Sequence, residues 1–120
     1  MAKTFKPKPP SEKQITAEIR YVLKLYSVFH WKVFQTLGST VGVPDIIAIQ
    51  KGTGKLIGIE IKTARGKVST AQQYFIDLIN ANGGIAFVAR SAMDVINTLG
   101  LRPGAINDSS IPIAEQMDTG

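Results

Sequence analysis

The 120-residue sequence predicts one α/β domain, an αβββαβ core in which a mixed sheet is flanked by helices. Three observations predict it. Two β-branched runs, Ile46 to Gln50 and Leu56 to Ile61, stand either side of the Gly-rich segment Lys51-Gly52-Thr53-Gly54, the pattern of a β-hairpin. Apolar residues at helical spacing, opened by serines, mark helices before and after that hairpin. A further apolar run, Ile85 to Ala89, comes only after the second helix, so a helical crossover can bring it parallel to the hairpin.

Residues 1–10 hold Lys3, Lys6 and Lys8 with Pro7, Pro9 and Pro10 and read as an extended basic arm. Ser11 caps a first helix running to about Ser27, whose buried stripe is Ile15, Ile19, Val22, Leu23 and Tyr26. Trp31 to Phe34 reads as a short strand and Gln35 to Gly42 as a polar loop with Gly38, Ser39 and Thr40. The hairpin follows. Ser69 caps a second helix reaching about Asn82, stopped by Gly83-Gly84. After the strand Ile85 to Ala89, Ser91 opens a last helix through about Leu99. The domain therefore spans 11–100, and residues 101–120, rich in Gly, Pro, Ser and Asn, read as an irregular tail.

Residues 1–100 carry 13 Lys/Arg against 6 Asp/Glu, net +7, while residues 101–120 carry 1 against 3, net −2, giving the overall +5. A basic surface of this kind suits a polyanion. The absence of cysteine excludes disulfides and thiolate zinc sites and fits a reducing cytoplasm. No apolar run approaches the roughly 20 residues of a membrane span, and the N-terminus lacks the apolar stretch of a signal peptide. Gly52-Thr53-Gly54-Lys55 lacks the spacing and following helix of a phosphate loop, so no nucleotide cofactor is expected.

The hairpin carries the chemistry. A two-residue loop pairs Lys51 with Gly54 and a four-residue loop pairs Gln50 with Lys55; both give one register, in which Asp45 lies opposite Glu60. Directly opposed residues have Cβ atoms about 4.5–5.5 Å apart. Lys62, two residues beyond Glu60, falls on the same face. Two carboxylates that close repel, unless one stays protonated, the lysine neutralises them, or a hard divalent cation bridges them. The lysine alone leaves the site negative, so Mg²⁺ or Mn²⁺ together with Lys62 is the favoured resolution. The competing reading, a solvated strand surface, is weakened by Ile46, Ile47, Ile49, Ile57, Ile59 and Ile61, which supply apolar side chains to both faces and make unpaired charge expensive. Arg65 and Lys67, flanking Gly66 just beyond Lys62, read as a basic turn that grips flanking phosphates, or else as a plain solvated turn. Ser39 and Thr40 in the preceding loop are further candidate DNA contacts, as is Arg90 at the end of the last strand, which is equally readable as a surface Arg. The lone histidine, His30, reads as structural or surface rather than catalytic.

Pro44-Asp45, then Glu60-Ile61-Lys62, resembles the PD-(D/E)XK nuclease superfamily. With Ser11-Glu12-Lys13-Gln14, Ser69-Thr70-Ala71-Gln72 and the Gly83-Gly84 strand in order, residues 11–99 look like a small stand-alone VRR-NUC domain. The resemblance implies a restriction-endonuclease-like fold and a metal-dependent DNA endonuclease leaving 5′-phosphate and 3′-hydroxyl ends. Asp45 and Glu60 would bind metal, with Glu12 helping directly or through water. Glu12 and Glu18 flank the helical stripe on opposite sides, and the family's helix-opening Glu favours Glu12. Lys62 would position the attacking water. Gln72, at capping-box spacing from Ser69, would also orient groups near the metal. Stand-alone members look like Holliday junction resolvases, so the expected partners are branched DNA and a second copy of the chain. The alternatives are a non-catalytic nucleic-acid-binding module and a sequence-specific restriction-type enzyme.

Overall fold

The computed structural model describes residues 7–35 and 39–102. The Lys3 and Lys6 part of the basic arm, Gly38 of the loop, and the tail from residue 103 lie outside the described residues. Seven elements follow in order: α1 (Glu12–Leu25), β1 (His30–Lys32), β2 (Ile46–Ile49), β3 (Leu56–Ile61), α2 (Thr70–Ala81), β4 (Ile85–Ala89) and α3 (Ala92–Leu99).

Helix α1 opens with a capping box. Gln14 N–H donates to Ser11 Oγ at 3.2 Å, and Ser11 N–H donates to Gln14 Oε1 at 2.8 Å. Its apolar stripe buries Ile15, Ile19 and Leu23. The helix stops two residues earlier than the sequence predicts. Ser27 takes a left-handed conformation (φ 57), and the N–H groups of Ser27 and Val28 return to the carbonyls of Lys24 and Leu23 at 3.0 and 2.8 Å. This is a Schellman stop made without the usual glycine. Helix α2 repeats both devices: Ser69 and Gln72 cap its start, and Gly83 (φ 90) and Gly84 return N–H groups to Asn80 and Ile79 at its end.

The four strands lie in sequence order, β1-β2-β3-β4; β1 to β3 form an antiparallel meander, and β4 joins β3 parallel. Strand β1 begins one residue before the expected Trp31 and ends two before Phe34. The β1–β2 ladder ends at Lys32 opposite Ile46, followed by one further bond, from Val33 N–H to Asp45 O at 2.8 Å.

Alternation divides the sheet. Ile46, Ala48, Ile57, Ile59 and Ile61 face one side and pack with Ile15, Ile19 and Leu23 of α1 and Val95 of α3 in a single core. Helix α2 covers the other side over β3 and β4. It approaches so closely that a Cβ on Gly58 would lie 2.9 Å from Ile79 Cδ1, and one on Gly84 would lie 2.6 Å from Ile79 Cγ2 and 2.8 Å from Leu56 O. The apolar runs on both faces were expected to be covered on both sides. The roof is only partial: Phe29, Trp31, Ile49 and Leu56, on the α2 side of the sheet, stay half-exposed.

Candidate active site

The hairpin register holds as predicted, with Ile46 opposite Ile59 and Gln50 N–H donating to Lys55 O at 2.9 Å. Continued one step, it sets Asp45 against Glu60 at the end of the sheet where β3 and β4 finish. Ile61 N–H points toward β2, because the next N–H, that of Lys62, pairs with Ala89 of β4 at 3.1 Å. The β2–β3 ladder ends at Ile46 and the chain bends at Asp45, whose carboxylate supplies the next acceptor: Ile61 N–H donates to Asp45 Oδ2 at 2.7 Å. The backbone thus fixes one of the two acids.

Glu60 is buried, with 2 % of its surface exposed. One carboxyl oxygen, Oε1, lies 3.9 Å from Lys62 Nζ; the other, Oε2, is buried without a hydrogen-bond partner. Burial, followed by the Asp45 charge and a hydrogen bond with Asp45, pushes the Glu60 carboxyl from an ordinary 4.5 up to about 8. Lys62 opposes the shift and the Glu12 carboxylate adds to it. The neutral form of the Glu60 carboxyl is thereby favoured, with Lys62 Nζ at ion-pair distance from it. A buried acid with an orphaned oxygen beside a second carboxylate is a donor set suited to a hard cation, and Mg²⁺ takes only one or two protein carboxylates while keeping its waters.

Glu12, in the first turn of α1, is exposed and acts on Glu60 through its charge; Glu18 is not among the groups that shift Glu60. Among the described residues no three acidic or histidine side chains gather closely enough to share one ion, so Glu12 stands outside the Asp45–Glu60 pair. Gln72 is engaged in its cap: Ser69 N–H donates to Gln72 Oε1 at 2.9 Å, and Gln72 N–H donates to Ser69 Oγ at 3.1 Å. The loop bearing Ser39 and Thr40 returns to Asp45 through Gly42 (φ 90). Gly42 lies against the first turn of α2, where a Cβ would meet Ala71 O at 2.5 Å. Arg65 and Lys67 are exposed on the turn after Lys62. Arg90 reaches back to that same turn, its Nη1 donating to Thr63 O at 2.6 Å and Gly66 O at 2.8 Å. The sequence carries no signal for this contact, since its partners lie 24 and 27 residues away. His30 is structural, its ring between Val28 O and the Arg20 guanidinium.

A groove of about 660 Å³ between the hairpin tip and α2 is lined by Val43, Ile47, Leu56, Phe75 and Ile79, and includes none of Asp45, Glu60 or Lys62. The acidic pair and the lysine lie instead at the open end of the sheet.

An antiparallel meander extended by a parallel strand, with an acidic pair and a lysine at its open end, defines a nuclease-like α/β core. The sequence pattern of the VRR-NUC domain matches residues 11–93, and the chain belongs to that family. A solved structure described as a VRR_NUC domain protein is similar in fold, with a TM-score of 0.59 and 23 % identity over 78 % of this chain and 88 % of the other. No curated protein matches the chain.

Proposed function

We propose that this chain is a metal-dependent DNA endonuclease, acting on branched substrates such as four-way junctions and leaving 5′-phosphate and 3′-hydroxyl ends. The observation that carries the reading is the buried Glu60 carboxyl, with Oε2 unpartnered, beside Asp45 and Lys62. Burying a carboxyl beside a second acid, with one oxygen left without a partner, works against folding unless the site has another use. Asp45 and Glu60 would hold Mg²⁺ or Mn²⁺, which when bound supplies Lewis-acid polarisation of the phosphate and an activated water.

The protein's own groups have separable tasks. Asp45 is held by Ile61 N–H, so it presents a carboxylate in a fixed direction. Lys62, on a half-buried stem, brings an ammonium to where negative charge grows on the phosphate oxygens. Arg65 and Lys67 would hold phosphates on either side of the scissile bond, and Ser39 and Thr40 would add contacts from the opposite rim. A domain with so few base-reading elements would recognise backbone and shape. Cutting both strands of a junction needs two sites, so the active form would be a two-fold dimer.

The test is incubation of the purified protein with junction, flap and linear DNA, with Mg²⁺, Mn²⁺ or EDTA. Metal-dependent cleavage of branched DNA that is lost in Asp45→Asn and Lys62→Ala supports the reading. Binding without cleavage under every condition replaces it with a nucleic-acid-binding module.

A further inference from the structure

Arg90 ends β4, and its side chain turns across the end of the sheet. Nη1 donates to Thr63 O at 2.6 Å and to Gly66 O at 2.8 Å, with Ala64 O at 3.5 Å. One cationic nitrogen thus gathers the carbonyls of a single turn. Its base is anchored: Arg90 N–H donates to Asp94 Oδ2 at 2.8 Å, Asp94 N–H donates to the Ser91 cap, and the neighbouring Ala89 O accepts from Lys62 N–H. The held turn packs on the site lysine, for a Cβ on Gly66 would lie 3.4 Å from both Cβ and Cδ of Lys62. Carbonyl dipoles converging on one point repel one another unless a donor sits among them, and charge-assisted bonds are about twice as strong as neutral ones. Without the guanidinium, the turn keeps only its own bond, from Gly66 N–H to Thr63 O at 3.1 Å, and loses the donor that ties it to β4.

We propose that Arg90 is a positioning residue. It folds the Thr63–Gly66 turn onto the stem of Lys62, which keeps the ammonium at Glu60 and the exposed Arg65 and Lys67 at the mouth of the site. It acts through these residues rather than by gripping DNA itself. The catalytic consequence rests on the nuclease reading; the clasp does not.

The test therefore has two arms, applied to wild type, Arg90→Ala and Arg90→Lys. The first is limited trypsin digestion, which cuts after Arg65 and Lys67. Arg90→Ala should be cut at these bonds at least about tenfold faster with little change in Tm, since the clasp is solvent-exposed and local. Non-denaturing guanidinium should restore protection, and Arg90→Lys, which keeps one cationic donor, should fall between. Equal cutting of all three proteins overturns the clasp. The second arm is junction cleavage. A misplaced lysine should lower kcat by about 10–100-fold, more than KM rises, with partial recovery by guanidinium and an unchanged salt dependence of DNA binding. A loss confined to KM, with the salt slope lower by about one, marks Arg90 as a phosphate ligand and overturns the proposal. If wild type cleaves nothing, the nuclease reading fails, and proteolysis alone decides whether Arg90 holds the turn.

Discussion

Glu60 behaves opposite to most carboxylates in folded proteins. Its folded-state pKa of about 8 lies above the unfolded 4.5, so the folded chain retains a proton that the unfolded chain has released. That contribution to stability is fully present below about pH 4.5 and is lost as pH rises through about 8. In EDTA, the Tm of wild type relative to Glu60→Gln should therefore fall across this window; parallel profiles would show that Glu60 titrates normally. Lys62 carries a different expectation. Removing one preorganised charge donor typically costs about 10²–10³ in rate, so Lys62→Ala should lose that much in single-turnover cleavage while still binding junction DNA. The opposition of Asp45 and Glu60 was legible in the sequence because both even-length loops around Gly52-Thr53 fix the same pairing. The bond from Ile61 N–H to Asp45 was not, because it depends on the ladder ending at Ile46 and the chain bending at Asp45.

At the scale of elements, the starts were easier to read than the stops. Ser11, Ser69 and Ser91 each cap a helix at the predicted place, because a hydroxyl ahead of an apolar-periodic run has a direct physical job. Gly83-Gly84 was equally legible as a stop. Ser27 was not, since a serine in a left-handed conformation leaves no mark in the sequence. The cost of that conformation is relieved by glycine, so Ser27→Gly should raise stability by about 0.5–1 kcal/mol in urea unfolding; no gain would mean that Ser27 makes an offsetting contribution. Gly84 is the reverse case. A methyl group there meets Ile79 and the Leu56 carbonyl at under 3 Å, and backbone cannot yield as a flexible side chain can. Gly84→Ala should cost about 1–3 kcal/mol by overpacking α2 against β3. The sequence indicated apolar residues on both faces of the hairpin, but coverage depends on where α2 lies. The exposure of Trp31 (44 %) and Ile49 (41 %) could not be read from alternation alone.

Across the whole molecule, order along the chain largely dictated topology: a meander followed by a helix and another apolar run leaves few ways to complete one sheet. Among the described residues no helix is long and apolar enough to cross a membrane. The net charge of +5 suits a polyanion, and under the proposed function the basic residues beside the site would carry its path. Arg65→Ala and Lys67→Ala should each weaken junction binding and lower the slope of log affinity against log salt by about one; an unchanged slope would place the phosphates elsewhere. The proposed chemistry requires a bound cation to displace the proton that burial holds on Glu60 beside Asp45. Calorimetric titration of Mn²⁺ at pH 7 in two buffers of different ionisation enthalpy tests this most directly. One ion per chain should bind, releasing about one proton, with binding abolished in Glu60→Gln. Failure of wild type to bind, or equal binding by wild type and Glu60→Gln, would contradict it.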